Sequence, residues 1–118
     1  MHELSIAQSL VELAAEAAEN SGIKKVKALF LKLGVLSGVV KEALEFSFDV
    51  VVQGTSLEGA KLIIEDVPVT IFCPNCQEER ILPEPLPMRC PTCGTKTGQV
   101  LAGREMELYA LEGGEENA

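Results

Sequence analysis

The sequence has no tryptophan, one tyrosine and four phenylalanines, so aromatic residues make up only 4% of it, and it has a single histidine. So few aromatic faces leave little for stacking against unpaired bases. One imidazole excludes catalytic schemes that need two within one chain. Positive charge is also scarce: ten Lys and Arg stand against eighteen Asp and Glu, a net charge of −8 shared by both halves. Phosphate neutralisation dominates nucleic-acid affinity, and this composition offers no surface for it, so nucleic acid is excluded as a partner. Long hydrophobic runs are missing. The most apolar stretch, Ala28 to Val40, is broken by Lys32 and falls far short of the ~20 residues that carry a helix across a bilayer. The first twenty residues hold Glu3, Glu12, Glu16 and Glu19 instead of a basic start and an apolar run, so they do not read as a secretory signal. A cytoplasmic, soluble protein with no membrane partner is expected.

What is present is enough for one core. The 118 residues are 47% hydrophobic, a size at which one core is comfortable and two are not. Ser5 and Gln8 have the spacing of a capping box, and Ile6, Leu10, Leu13, Ala14 and Ala17 then recur at helical spacing, ended by Asn20, Ser21 and Gly22. Lys25 to Leu33 reads as a strand covered on both faces, with Leu29, Leu31 and Leu33 on one side and Val26, Ala28 and Phe30 on the other. After the Ser37–Gly38 turn, Val40, Leu44, Phe48 and Val51 fall on one stripe of a second helix. Lys61 to Ile71 reads as a strand interrupted by Pro68, which signals an edge or an exit from the sheet. From Phe72 to about Gln99 no periodicity survives. Arg104 to Leu111 then alternates, with Met106, Leu108 and Ala110 on one face. The expected fold is α+β: a two-helix domain with a small three-stranded mixed sheet, made of residues 1–70 plus 102–118 and interrupted by a zinc-ribbon-like module at 71–101.

That module carries the strongest chemical signal. Cys73-Pro-Asn-Cys76 and Cys90-Pro-Thr-Cys93-Gly94 are two CxxC knuckles with thirteen residues between them. In a reducing compartment two such pairs favour metal ligation over disulfides, and four thiolates around one ion favour tetrahedral zinc. Ion binding supplies folding free energy that Phe72, Ile81, Leu82 and Met88 are too few to provide. With no fifth ligand close by in sequence, the site is expected to be closed and structural. A thiol oxidoreductase is the competing reading, but it needs one CxxC at a helix start in a βαβ setting. Iron or iron–sulfur ligation is a further alternative.

The lone histidine is His2. The Met1 α-amine, the His2 backbone nitrogen and imidazole, and the Glu3 backbone nitrogen could surround a metal in a plane, a geometry that favours Ni(II) or Cu(II). The bland alternative is a solvated residue in a frayed terminus. Other motifs fall away. Gly94-Thr-Lys-Thr97 lacks the spacing of a phosphate-binding loop, the acidic residues form a solvated surface, and Lys24, Lys25 and Lys27 flank a strand. No catalytic residues are assigned and the chain is not expected to be an enzyme.

The Met-His-Glu start, the segment Leu33 to Gly38 before the second helix and the paired CxxC motifs together resemble the HypA family of hydrogenase nickel-insertion accessory proteins. The resemblance spans nearly the whole chain. It implies a nickel metallochaperone with Ni2+ carried transiently at Met1, His2 and Glu3, and structural Zn2+ at Cys73, Cys76, Cys90 and Cys93. It also implies delivery to the [NiFe]-hydrogenase large-subunit precursor, a HypB-type GTPase as partner, and a monomer or weak homodimer. Relatives often carry an acidic residue where this sequence has Val40, so a carboxylate ligand from that loop would have to come from Glu42 or be replaced by water. The competing class is a zinc-ribbon interaction module without nickel.

Overall fold

The computed structural model describes residues 3–84 and 87–114. The chain runs α1 (Glu3–Asn20), β1 (Val26–Gly34), a 3-10 turn (Val35–Ser37), α2 (Lys41–Val51), β2 (Lys61–Val67), β3 (Thr70–Cys73), β4 (Glu78–Ile81), β5 (Val100–Ala102) and β6 (Met106–Gly113). Two three-stranded sheets result, ordered β2-β1-β6 and β4-β3-β5. The α+β class holds, and the C-terminal strand does return to the sheet of the first strand.

Contacts divide the chain into two compact units. One comprises Met1–Leu31, Val39–Ile64 and Leu108–Ala118, over their described residues; the other comprises Lys32–Gly38 and Glu65–Glu107. The first unit holds the larger core: Ala7, Leu10, Val11, Ala14 and Ala18 of α1, Leu44 and Phe48 of α2, and Val26, Leu29 and Leu31 of β1, closed by Val52, Leu57 and Ala60. Each buried aliphatic or aromatic side chain contributes about 1.5–3 kcal/mol of transfer free energy. The second unit's core is small, consisting of Val69, Ile71 and Leu82 with Leu36, Met88 and Val100 packed around them.

Several local expectations are corrected. Ser5 lies inside α1 rather than capping it, because the helix already starts at Glu3. The buried face of α1 is Ala7, Leu10, Val11, Ala14 and Ala18, while Leu13 is 54% exposed. The alanines win over the larger side chains because α1 packs against α2, and small residues let two helices approach. Val40 is the N-cap of α2 and lies in solvent, not on the buried stripe. The single strand read across Pro68 is two strands, β2 ending at Val67 and β3 starting at Thr70, in different sheets. The missing Pro N–H breaks the ladder there. The last strand starts at Met106, which is exposed. Lastly, the segment read as lacking periodicity holds β4 and the second half of β3, since strands of three or four residues are too short to display alternation.

Candidate metal centre

Each CxxC is presented by a turn, and the two turns are built alike. In the first, β3 delivers Cys73, the Gln77 N–H donates to the Cys73 carbonyl at 2.7 Å, and Gln77 takes a left-handed φ of 55°. In the second, the Gly94 N–H donates to the Cys90 carbonyl at 2.8 Å and Gly94 has φ 79°. A left-handed residue one place after the second Cys reverses the chain in both turns. The cost is small for Gly94 and larger for Gln77. The Cys76 N–H points at Cys73 Sγ, 3.4 Å away. The Cys90 N–H is bound to the Thr95 carbonyl at 2.9 Å, and Arg89 and Lys96 form a short antiparallel bridge behind the second turn.

Antiparallel pairing ties the two turns together. β3 pairs with β4 in the register Thr70 opposite Ile81 through Cys73 opposite Glu78, and with β5 through Thr70–Ala102 and Ile71–Val100. Beyond β5 the Phe72 N–H reaches the Gln99 carbonyl at 3.0 Å, and the Thr97 hydroxyl donates to the Phe72 carbonyl at 3.0 Å. Thr97 N–H also donates to the Met88 carbonyl, so the strand of the first turn is stitched to the segments flanking the second.

The four sulfurs converge. Cys73 and Cys93 Sγ are 3.5 Å apart, Cys76 and Cys90 Sγ are 3.9 Å apart, and all four lie within 4.8 Å of one another. Four sulfurs at the ordinary Zn–S distance of ~2.3 Å sit about 3.8 Å apart at the corners of a tetrahedron. The two shorter separations bracket that value, so the donor set fits a four-coordinate soft dication. Cys73 and Cys90 are buried, Cys76 is half-buried and Cys93 is exposed. Among the described residues this is the one cluster of three or more His, Cys, Asp or Glu able to hold a metal.

The thiols are electrostatically unequal. The Thr95 hydroxyl, 3.1 Å from Cys93 Sγ, and the Thr95 N–H stabilise the thiolate and pull Cys93 down to about 5. Hydrogen bonding to Cys93, reinforced by burial, pushes Cys76 up to about 12. Cys90 is lowered: burial works against ionisation, but the N–H groups of Cys93 and Thr92 and the Cys73 thiol outweigh it. A dication favours the deprotonated form of every ligand and so would draw protons off the reluctant member.

The amino-terminal candidates are placed differently. Met1 and His2 lie outside the described residues. Glu3 opens α1 and is 7% exposed, and its Oε2 accepts the Val40 N–H at 3.0 Å. Val40 has no side-chain cap of its own, so a carboxylate from thirty-seven residues away occupies the start of α2. This bond to an ionisable acceptor satisfies a backbone donor that the helix leaves open. Position 40 itself offers no acidic side chain, yet the Glu3 carboxylate stands beside it. Sequence reasoning assigned Glu3 through its backbone nitrogen and did not find this role, nor that of Thr95 beside Cys93. No local motif marks either of them.

Comparison with known proteins gives a consistent result. Residues 1–113 match the family described as hydrogenase/urease nickel incorporation, metallochaperone, hypA. The hydrogenase maturation factor HypA of Chloroflexus aggregans is 53% identical over 112 residues, covering 95% of this chain and 98% of the relative. That of a Roseiflexus species is 52% identical, covering 95% and 91%. Among solved structures, the solution structure of the Ni metallochaperone HypA from Helicobacter pylori superposes with a TM-score of 0.68 at 26% identity, covering 98% of this chain and all of that one. Another solution structure of a HypA protein gives 0.71 at 28% identity, covering 98% of each.

Proposed function

We propose, for a chain that belongs to the HypA family of hydrogenase/urease nickel-incorporation metallochaperones, a division of labour between two metal sites. The amino terminus carries Ni2+ on the Met1 amine, the His2 backbone nitrogen and imidazole, and the Glu3 backbone nitrogen. Cys73, Cys76, Cys90 and Cys93 hold Zn2+ and add to the stability of the segment 71–101. The cargo passes to the [NiFe]-hydrogenase large-subunit precursor in the cytoplasm, with a HypB-type GTPase supplying the nucleotide chemistry. The chain itself acts as a carrier and not as an enzyme.

The observation that carries this reading is the family match beginning at residue 1, so that it takes in the terminus bearing the sole histidine. A chain end is the least encumbered place for ligands that must release their metal. The sulfur geometry supports a closed, structural site, since four protein ligands complete a tetrahedron and leave no open position.

The test is a Ni2+ titration of untagged protein with its native first residue, beside His2→Ala, followed by absorption spectroscopy. Loss of the tight site in His2→Ala is expected, and equal affinity and stoichiometry in the two would refute the assignment. Metal analysis of Cys73→Ala should show loss of zinc. Retention of one zinc per chain would refute the four-cysteine site. One observation favours the thiol-oxidoreductase alternative: Cys93 is exposed and held at about 5. A zinc-loaded protein that resists mild oxidants would remove it.

A further inference from the structure

Strand register sets a cation on the face of the sheet that carries a metal ligand. β4 pairs with β3 so that Arg80 stands opposite Ile71 and Glu78 opposite Cys73. Directly opposed residues share a face of a sheet, as do residues two apart on one strand. Ile71, Cys73, Glu78 and Arg80 therefore lie on the same face, the one on which Ile71 and Cys73 are buried. Glu78 turns out to solvent with its side chain 66% exposed, whereas the Arg80 side chain is only 22% exposed.

The Arg80 guanidinium is only partly satisfied. Nη1 donates to Glu78 Oε1 at 2.8 Å and to the Glu79 carbonyl at 3.4 Å. Nε is buried and has no hydrogen-bond partner, and no other buried side-chain nitrogen or oxygen among the described residues shares that condition. A buried N–H on a permanently charged group is costly without an acceptor, and such an orphan calls for an explanation. Four thiolates on one divalent ion supply it, because they leave excess negative charge on the sulfurs, which then accept hydrogen bonds from their surroundings. Interaction with Glu78 first, and with the Cys90 and Cys76 thiols next, raises the guanidinium pKa further above its usual value. Composition agrees. Within residues 71–101, Arg80, Arg89 and Lys96 match Glu78, Glu79 and Glu84 in number, so the whole of the −8 falls on the rest of the chain.

We propose that Arg80 is a positioning residue of the four-cysteine centre: its guanidinium acts as countercharge and N–H donor to the metal-bound thiolates of Cys76 and Cys90. This rests on the reading of the four cysteines as a zinc site. The cation offsets the excess negative charge of four thiolates on one dication, which strengthens retention of the ion, and its N–H makes the thiolates poorer nucleophiles.

The experiment uses the full-length, untagged, zinc-loaded chain with Arg80→Met, Arg80→Lys and Glu78→Gln. Zinc affinity is read by competition with a chromogenic chelator, and thiolate reactivity by the rate of alkylation with iodoacetamide. Loss of outer-sphere partners weakens metal affinity by about 10–100-fold, and Arg80→Met is expected at the lower end of that range, with faster alkylation. Arg80→Lys, which keeps the charge but not the fork, should fall between Arg80→Met and wild type. Glu78→Gln, which keeps the cation, should stay close to wild type. Wild-type affinity and alkylation rate in Arg80→Met would overturn the proposal, as would an equal loss in Glu78→Gln, which would trace the effect to the surface ion pair. If Arg80→Met does not fold, Arg80→Gln decides by the same two measurements, with unchanged values again overturning it. A wild-type chain that binds no zinc would instead sink the zinc reading, and this proposal with it, so the two failures are distinguishable.

Discussion

Gly34→Ala is the substitution whose effect the structure predicts most sharply. Gly34 has φ −77° and ψ 148°, an extended conformation that alanine adopts freely. A Cβ built there meets the Gly103 carbonyl oxygen at 2.1 Å, the Gly103 carbonyl carbon at 2.2 Å and the Arg104 nitrogen at 2.6 Å. All three are backbone atoms that no rotamer can move. Carbon atoms in good contact sit about 3.5–4.0 Å apart, so the two segments must separate by more than about 1 Å. Two short hydrogen bonds hold them together at that point: Gly34 N–H to the Glu105 carbonyl and Leu36 N–H to the Gly103 carbonyl, both 2.7 Å. Losing both costs about 1 kcal/mol each, and overpacking typically adds about 1–3 kcal/mol, for a total of about 3–5 kcal/mol. For a chain of this size that lowers Tm by roughly 10–20 °C. Thermal unfolding of the zinc-loaded protein, followed by circular dichroism, measures it. Gly98→Ala is the control, since an added Cβ there meets nothing within 4 Å and the φ is not left-handed. That change should be neutral or stabilising by about 0.4–1 kcal/mol through the unfolded chain. If G34A melts with wild type, the tight approach of Gly34 to Gly103 is refuted.

Further outcomes follow from the same contacts. Glu3→Ala leaves the Val40 N–H without its acceptor and should cost about 1–2 kcal/mol in denaturant unfolding, while Glu3→Gln, which keeps an acceptor, should cost less. Equal losses would mean that charge and not the bond matters. Zinc uptake by metal-free protein at pH 7 should release fewer than four protons, because Cys93, held at about 5, is already ionised, whereas Cys76, held at about 12, must give up its proton. Below pH 5 Cys93 is protonated too, so proton release per zinc should rise as pH falls, and affinity should fall with it. Calorimetry in buffers of different ionisation enthalpy reads this, and four protons at pH 7 would show that the thiol environment is not formed before the ion arrives. Phe48→Ala should cost about 3–5 kcal/mol at its 1% exposed position, and Phe46→Ala, 71% exposed, should be nearly silent. Similar Tm values for the two would contradict the core assignment.

Much of the metal centre was legible from spacing alone. CxxC is a local device: two residues between thiols fit one turn, and the left-handed residue that follows explains why Gly94 stands where it does. The two helices and the outer strands were legible because their apolar residues repeat at 3.6 or at 2, although the buried face of α1 was misjudged. Both candidate stripes of that helix are apolar, and only packing against α2 selected Ala7, Ala14 and Ala18 over Leu13. β3, β4 and β5 were not recognised as a sheet, because three or four residues carry too little periodicity and their stability comes from partners elsewhere in the chain. Without β4, the placement of Arg80 on the sheet face that carries Cys73 could not be anticipated.

By itself, then, the sequence determined the α+β class, the two knuckles and the residue types available at each end of the chain. Those features are written in short-range periodicity, in turn chemistry and in thiol spacing, all of which act within a few residues. Tertiary structure alone decided that Gly34 lies against the Gly103 backbone, that the Glu3 carboxylate serves the start of α2, and that Arg80 joins the face of the cysteine centre. Each of these pairs residues dozens of positions apart or depends on the register of very short strands. The conformation at Gly34 is one any residue could take, so nothing local records the need for glycine. It follows from how closely two distant stretches of backbone come together.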